Sequence, residues 1–205
     1  DYPVHLFLSR EGYFKKITPQ SLRMSGEQKY KEGDGPSQSF EATNRSEILF
    51  FTDKCQVYKI RLSEFDDTKA SVLGEYLPGK LGMDEGESVV WACLPGEDYA
   101  GELLFFFENG KVARVALAAY RTTSNRRKLT GAYSDKSPLV CIRRLDEDGE
   151  LAVYSTEPRC LIFHTSLLAP KTTRTTQGVQ VMTLKPKYRL DHVSAVEDTG
   201  IVHHS

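Results

Sequence analysis

Short apolar runs alternate with turn residues along the chain, and one arrangement of the two recurs four times. Each occurrence begins with an apolar run, turns through a short polar stretch and continues as a second run of mixed character. The four occurrences span residues 6–17, 49–60, 104–115 and 152–163. Short runs of β-branched and aromatic residues are typical of strands, and Asn109-Gly110 is a typical hairpin turn because both residues tolerate positive φ. The pattern therefore predicts four β-hairpins.

The starts of these hairpins lie about 43, 55 and 48 residues apart. This spacing is typical of propeller blades of about four strands and is too long for helical repeats of about 33 residues. A sustained helical period is missing, although residues 61–65 and 165–168 could each form one turn. We therefore predict an all-β fold, a propeller-like toroid of about four blades that forms a single domain. The predicted domain covers residues 1–205, with blades at roughly 2–45, 46–100, 101–148 and 149–198.

The charge of the chain is balanced, with 27 Lys and Arg against 28 Asp and Glu and a formal net charge of −1. This balance excludes a surface that is positive throughout, so a nucleic-acid role would require the positive charge to gather on one face. No apolar run approaches the roughly 18–20 residues of a membrane helix, and we expect no membrane partner. The chain begins Asp1-Tyr2-Pro3 without Met or a signal-type segment, so we expect a fragment of a longer protein.

The sequence offers no catalytic or metal-binding motif. Its five histidines lack metal-ligand spacing, and we find no nucleophile motif or paired acid and base. We therefore predict no catalytic residue, no metal site and no cofactor. The acidic stretches at residues 84–87 and 146–148 are expected to be loop tips rather than a Mg²⁺ site. We expect reduced, structural thiols in a cytoplasmic protein, because no close pair occurs among Cys55, Cys93, Cys141 and Cys160.

The turn and the basic end of the hairpins match a known repeat. Gly12-Tyr13-Phe14-Lys15-Lys16 and residues 110–114 both place a turn glycine before apolar and basic residues. Residues 174–179 read Arg-Thr-Thr-Gln-Gly-Val, which matches a segment of the same repeat. From about residue 4 to 196, the chain resembles the C-terminal domain of the A subunit of bacterial type IIA topoisomerases, the family of DNA gyrase and topoisomerase IV.

The resemblance implies a β-pinwheel fold and a role without catalysis of its own. The domain would bind and bend double-stranded DNA and steer it for ATP-dependent strand passage. The cleavage tyrosine and the ATPase site would lie elsewhere in the complex, so the parent protein would be an ATP-hydrolysing isomerase. The implied partners are duplex DNA, the rest of the A subunit, and the ATPase B subunit, in the bacterial cytoplasm.

Two departures from the family pattern affect this interpretation. Gyrases carry a Gln-Arg-Arg-Gly-Gly-Lys-Gly box after the first hairpin, whereas residues 24–31 here read Met-Ser-Gly-Glu-Gln-Lys-Tyr-Lys. The fourth repeat has Leu161 and Ile162 where the others carry basic residues. A topoisomerase IV-like subunit or a diverged gyrase is therefore favoured over a subunit that wraps DNA.

The basic residues of the repeats are the candidate DNA contacts. Lys16, Lys59 and Arg114 occupy equivalent places when the first three repeats are aligned at their turns. Lysine and arginine bind phosphates with release of counterions, and such contacts position a duplex without reading its sequence. For each residue the competing interpretation is a solvated or edge-guarding charge. The predicted DNA-binding set is Lys15, Lys16, Lys59, Arg61, Lys111, Arg114, Arg126, Arg127, Lys128, Lys171 and Arg174.

Two other functions compete with DNA bending. A propeller-type protein-interaction platform is compatible with the neutral net charge and the degenerate fourth repeat, although the Gly-His and Trp-Asp signatures of such scaffolds are absent. Propellers also host enzymes in their central channel, but this sequence offers no constellation of residues for one. The aromatic residues are expected to form the core rather than to stack on bases; they are Phe50, Phe51, Trp91, Phe105, Phe106 and Phe107.

Overall fold

Each of the four predicted hairpins forms, and corresponding residues of the four repeats pair in the same register. A computed structural model describes residues 1–123 and 127–198. In it, antiparallel pairing joins Leu6 to Lys16, Leu49 to Lys59, Leu104 to Arg114 and Ala152 to Ile162. We call the second member of each pair the central position of its hairpin. The equivalence that the sequence predicted for Lys16, Lys59 and Arg114 is therefore confirmed.

Strands make up most of the regular structure. They are β1 Pro3–Ser9, β2 Tyr13–Ile17, β3 Pro36–Thr43, β4 Glu47–Thr52, β5 Gln56–Arg61, β6 Glu75–Tyr76, β7 Val89–Cys93, β8 Glu102–Phe107, β9 Lys111–Ala116, β10 Lys128–Thr130, β11 Leu139–Leu145, β12 Glu150–Ser155, β13 Arg159–His164, β14 Val179–Gln180 and β15 Leu190–Ala195. The helices are short and both carry proline in their first turn: α1 Pro19–Met24 and α2 Leu77–Leu81. Single 3₁₀ turns follow at Leu62–Glu64, Leu117–Tyr120, Thr165–Leu167 and Val196–Asp198.

The strands form four small antiparallel sheets, so the predicted all-β class is confirmed. The sheet orders are β3-β1-β2-β6, β10-β5-β4-β7, β11-β8-β9-β14 and β13-β12-β15. Two compact units contain two sheets each. The first unit comprises residues 1–97 with strand β10, and the second comprises residues 98–123 and 131–198. Within the described part of the chain, no helix is long and apolar enough to cross a membrane.

The fourth strand of a sheet comes from a later part of the chain. Strand β6 pairs with β2 but follows the β4–β5 hairpin, and β14 pairs with β9 but follows the β12–β13 hairpin. Strand β10 likewise pairs with β5 but follows the β8–β9 hairpin in the sequence. We call β6, β10 and β14 the exchanged strands. Consecutive repeats therefore complete one another, an exchange that the repeat boundaries read from the sequence do not anticipate.

Aromatic residues fill the core of each unit, as predicted. In the first unit the Phe14 ring meets Phe50 edge-on at 5.2 Å between centroids and Phe65 at 4.8 Å. In the second unit Phe106 contacts Phe163 at 6.5 Å. The predicted core phenylalanines of both units, which are Phe50, Phe51, Phe105, Phe106 and Phe107, are at most 1% exposed. Trp91 is half-buried, and its ring lies 5.8 Å from that of Phe51.

Glycine is required where β14 docks on β9. Gly178 has φ +78°, and a Cβ there would lie 2.1 Å from the carbonyl oxygen of Val112. Gly110 has φ +85°, and a Cβ there would lie 2.0 Å from the carbonyl oxygen of Met182. Both conformations and both close approaches exclude a larger residue. The glycine of the Arg-Thr-Thr-Gln-Gly-Val segment therefore serves the exchanged strand.

Candidate nucleic-acid interface

Three of the predicted DNA contacts have buried side chains. Lys15, Lys16 and Arg114 are 3%, 2% and 9% exposed. Lysine and arginine are almost never buried unless they are paired. The partners of these three residues therefore decide what they do.

The ammonium group of Lys16 has an acceptor for each of its three hydrogens. Lys16 Nζ donates to Asn44 Oδ1 and to the main-chain carbonyl of Leu62 at 3.0 Å, and it lies 3.3 Å from Asp67 Oδ1. A lysine has three N–H donors and no acceptor. The group is therefore saturated inside the first unit.

Arg114 makes the corresponding contacts in the second unit. Its Nη2 donates to Glu102 Oε1 at 2.9 Å, and its Nη1 donates to Asp148 Oδ1 at 2.8 Å. The same Nη1 also reaches the carbonyls of Thr165 at 3.0 Å and Leu168 at 3.1 Å. Burial alone would lower the pKa of Arg114, but the hydrogen bonds to Glu102 and Asp148 outweigh it and raise the pKa. Arg114 therefore stays charged in its buried place.

Lys16 and Arg114 perform the same task in their two units. Leu62 and Thr165 each lie three residues after the central position of the next hairpin, where the chain leaves β5 and β13. Asn44 and Asp148 each lie just before the first strand of that next hairpin. A single cation thus ties both ends of the following hairpin to its own sheet. We call this arrangement the hairpin clamp.

Lys15 is also occupied by main-chain acceptors. Its Nζ donates to the carbonyls of Lys29 at 3.1 Å and Ala70 at 3.0 Å, and it lies over the Tyr30 ring. Burial lowers the pKa of Lys15. Lys15, Lys16 and Arg114 are thus occupied by acceptors inside the fold and do not present their charges to solvent.

The main chain of the first unit places three other predicted contacts at neighbouring positions. Strand β10 places Lys128 opposite Tyr58, and the amide of Lys59 donates to the carbonyl of Arg127 at 2.7 Å. The side chain of Arg127 is 58% exposed and that of Lys128 is 37% exposed, whereas that of Lys59 is half-buried. We call Lys59, Arg127 and Lys128 the β5–β10 cluster. Arg126, which was also predicted, lies outside the described residues.

Acidic side chains accompany each member of this cluster. Arg127 forms an ion pair with Glu64, Lys128 Nζ lies 3.4 Å from Asp84 Oδ1, and Lys59 Nζ lies 3.7 Å from Glu47 Oε2. Exposed ion pairs of this kind contribute little, about 0–1 kcal/mol each. Displacing the carboxylates of the exposed pairs by a phosphate would therefore cost little free energy.

The four remaining predicted contacts are divided between the two units. Arg61 is exposed, and its guanidinium donates to the carbonyl of Arg45 at 2.9 Å. In the second unit Lys111 begins β9, while the main chain of Lys171 bonds to Arg114 near the other end of that strand. Arg174 is half-buried and donates to the carbonyl of Ala119 at 3.0 Å. Arg61 thus belongs to the first unit, and Lys111, Lys171 and Arg174 belong to the second.

A buried carboxylate beside the β5–β10 cluster was missed by sequence reasoning. Glu87 is 4% exposed, so its interpretation as a loop tip was wrong. It accepts hydrogen bonds from Thr52 Oγ1, Gln56 Nε2 at 2.7 Å and Tyr58 OH at 2.8 Å. Burial would raise the pKa of Glu87, but these bonds and that of the Asp84 amide lower it. The Glu87 network anchors the loop after α2 beneath the strand that carries Lys59.

A family model and solved structures of other proteins are similar to this chain. A family model described as the DNA gyrase C-terminal domain, a β-propeller, matches residues 46–71 and 169–197. The C-terminal domain of a DNA topoisomerase IV superposes with a TM-score of 0.83 at 22% identity, over 95% of this chain and 61% of that one. The E. coli ParC C-terminal domain gives 0.72 at 16% identity, over 94% of this chain and 79% of that one.

Whole-protein relatives agree with the structural ones. The A subunit of DNA topoisomerase 4 from Staphylococcus aureus is 24% identical over 187 residues, which are 89% of this chain and 23% of that protein. The predicted resemblance to type IIA topoisomerase A subunits is confirmed. The chain spans about a quarter of the length of these topoisomerase IV relatives.

The cationic side chains described above are groups that can pair with an anion. Among residues 1–123 and 127–198, no group of three or more His, Cys, Asp or Glu could hold a metal ion. The family model covers Lys59 and Arg61 in one matched segment and Lys171 and Arg174 in the other. Each matched segment therefore contains two of the predicted DNA contacts.

Proposed function

We propose that this chain is a DNA-binding and DNA-bending domain of a type IIA topoisomerase A subunit, without catalysis of its own. The observation that carries the proposal is the β5–β10 cluster on a fold that resembles topoisomerase IV C-terminal domains. In the parent protein the domain would guide duplex DNA for ATP-dependent strand passage. The rest of the A subunit, the ATPase B subunit, and the bacterial cytoplasm belong to the same proposal.

The β5–β10 cluster would grip the phosphate backbone. Lys128 begins the exchanged strand β10, Arg127 directly precedes it, and the amide of Lys59 on β5 bonds to the carbonyl of Arg127. Such contacts fix the position of a duplex and carry no sequence information. We expect Arg61, Lys111, Lys171 and Arg174 to add single contacts along the bound duplex.

Bending rather than wrapping fits the number of available charges. Smooth bending of 20–30 base pairs through 40–90° costs about 1–6 kcal/mol. Three of the eleven predicted cations are used inside the fold, and the three of the cluster carry acidic partners. Residues 24–31 also lack the basic, glycine-rich composition of the gyrase box. The limited number of available cations supports weak DNA bending, by a topoisomerase IV-like domain or a diverged gyrase domain.

The test is a salt-dependent binding assay with a matched charge control. Fluorescence anisotropy would follow a duplex of about 40 base pairs across salt concentrations from about 50 mM upward. The variant Lys59→Gln/Arg127→Gln/Lys128→Gln should reduce the slope of log K against log salt by about three contacts. The control Lys185→Gln/Lys187→Gln/Arg189→Gln removes the same charge from exposed sites of the second unit and should leave the slope unchanged. The proposal fails if the unmodified chain shows no salt-sensitive binding.

A protein-interaction platform is the second candidate function. The observation in its favour is that the cluster is already neutralised by Glu47, Glu64 and Asp84 in a chain of net charge −1. It predicts no DNA binding at low salt, together with a stable protein partner in pull-downs. The anisotropy experiment above therefore separates the two functions.

A further inference from the structure

The second unit contains a small cavity beside its hairpin clamp. The cavity has a volume of about 170 Å³, and its lining includes Val112 and Leu168, which are at most 2% exposed. Leu167 and Val179 also line it and are 74% and 52% exposed, so part of the apolar lining faces solvent. An apolar cavity of about 150 Å³ is large enough to hold benzene. This cavity, which we call the β9 cavity, therefore has room for one apolar side chain.

The first unit has a cavity at the corresponding place, which we call the β2 cavity. Thr68 and Lys171 each lie nine residues after the central position of the second hairpin of their unit. The amide of Thr68 donates to the carbonyl of Lys16 at 2.9 Å, and the amide of Lys171 donates to that of Arg114 at 2.8 Å. Each of these pairs lines the cavity of its unit. The two cavities are therefore equivalent.

Corresponding residues give the two cavities opposite chemistry. Asp66 of the β2 cavity lies seven residues after a central position, where the β9 cavity has Ala169. Glu75 and Val179 also correspond, since each pairs with the residue two positions before a central position. The β9 cavity thus has apolar side chains in place of two carboxylates. It also has the cation of Lys171 where the β2 cavity has a threonine hydroxyl.

The cation of the β9 cavity is available to a ligand. Lys171 is exposed, and within residues 1–123 and 127–198 no carboxylate forms an ion pair with it. Arg114 also lines the cavity, but the hairpin clamp occupies its guanidinium. Exposed apolar patches with a polar border are typical of protein interaction sites, and an apolar anchor in a pocket commonly supplies most of the affinity. An apolar group next to a carboxylate would complement this site.

We propose that the β9 cavity docks a segment of a partner protein in which a leucine-sized side chain adjoins a carboxylate. The apolar side chain would enter the cavity against Val112 and Leu168, and the carboxylate would pair with Lys171. Burial of the side chain would supply the affinity, and the ion pair would fix the orientation. In the β2 cavity, Asp66 and Glu75 would repel the same segment. The docking does not require the proposed DNA binding, although a duplex and an acidic segment would compete for Lys171.

Nuclear magnetic resonance of the isotope-labelled chain, without DNA, tests the site with acetylated and amidated tetrapeptides. Gly-Leu-Glu-Gly should shift the amides of Val112, Leu168 and Val179 saturably, with a dissociation constant of about 1 mM or below. Gly-Ser-Glu-Gly lacks the apolar side chain, and Gly-Leu-Lys-Gly reverses the charge, so each should bind at least about tenfold more weakly. The proposal fails if these amides show no saturable shift, or if the peptides shift them equally.

A charge exchange tests the role of Lys171. Lys171→Glu should bind Gly-Leu-Lys-Gly in preference to Gly-Leu-Glu-Gly, the reverse of the unmodified chain. Val179→Glu introduces the acid of the β2 cavity and should weaken Gly-Leu-Glu-Gly at least about tenfold. The control Lys187→Glu makes the same charge change at an exposed residue that does not line the cavity, and it should leave both affinities unchanged.

Three results of these titrations would contradict the docking site. Equal weakening by Lys171→Glu and Lys187→Glu would mean attraction to the overall charge. Shifts confined to Asp66 and Thr68 would place the binding in the β2 cavity. If free isocaproate, an apolar acid without a peptide, binds as tightly as Gly-Leu-Glu-Gly, the site takes a small molecule rather than a protein segment.

Discussion

The hairpin clamp makes a prediction that opposes the use of Arg114 as a DNA contact. Arg114→Met keeps most of the side-chain volume but removes the cation from Glu102, Asp148 and the Thr165 carbonyl. If the side chain is a clamp, stability falls and DNA affinity does not change directly. If it is a phosphate contact, DNA affinity falls and stability does not change.

The expected loss follows from the burial of each partner. Removing one member of a fully buried ion pair costs about 3–5 kcal/mol, because the other charge is left uncompensated. Here Arg114 is 9% exposed, whereas Glu102 is 21% and Asp148 is 41% exposed, so water can reach the carboxylates after the substitution. We therefore expect Arg114→Met to lower the free energy of unfolding by about 2–3 kcal/mol. Arg114→Lys keeps the charge without the fork and should lose about half of that.

The assay follows the second unit directly. Hydrogen exchange in increasing urea, read from peptides that contain β9 and β12, gives the local free energy of opening. The control is Lys111→Met on the same strand, which should change that free energy by less than about 0.5 kcal/mol. A loss below about 0.5 kcal/mol in Arg114→Met, accompanied by weaker DNA binding, would refute the clamp.

Three further predictions concern the first unit and the exchanged strand. Lys16→Met should destabilise the first unit by about 2–3 kcal/mol, measured by the fluorescence of Trp91 in urea, whereas the exposed Lys69→Met should have no effect. Gly178→Ala should lower the melting temperature and expose the β14 amides to exchange, since its Cβ would overlap the Val112 carbonyl, whereas Gly149→Ala, with open space at its Cβ, should be neutral. Because the folded pKa of Glu87 is lowered, its contribution to stability is complete above the ordinary glutamate pKa and is lost as pH falls through the folded value. Urea titrations below about pH 5 should therefore show a flatter pH dependence for Glu87→Gln than for the unmodified chain.

The hairpins could be predicted from sequence because their signals are local. A turn residue between two short apolar runs selects a hairpin, and Asn109-Gly110 does so by itself. The aromatic core followed from the same runs, since residues such as Phe50 and Phe106 have no polar alternative in a buried strand. Both inferences require only neighbours within about a dozen residues.

The exchanged strands could not be predicted because their partners are distant and their sequences are short. Glu75-Tyr76 and Val179-Gln180 are too brief to carry a strand pattern, and each is defined by the edge that it covers. The burial of Glu87 could not be predicted for a related reason. Its burial depends on Gln56 and Tyr58 of strand β5, whereas the residues before it, Glu85 and Gly86, are those of an exposed loop.

The recurrence of Lys16 and Arg114 in the repeats is real, and from the sequence alone it was interpreted as DNA binding. Lys16 and Arg114 recur at one position of their repeats, and the need that both meet is attachment of the next hairpin to the sheet. DNA contact carries no such requirement, because a duplex that follows a curved surface can be held by a different residue from each repeat. The β5–β10 cluster fits this description, since Arg127 and Lys128 belong to a segment with no counterpart of the same composition beside β2, where Asp67 and Thr68 lie. Arg127 and Lys128, which lie outside the central positions of the hairpins, are therefore the cations of this cluster to test first against DNA.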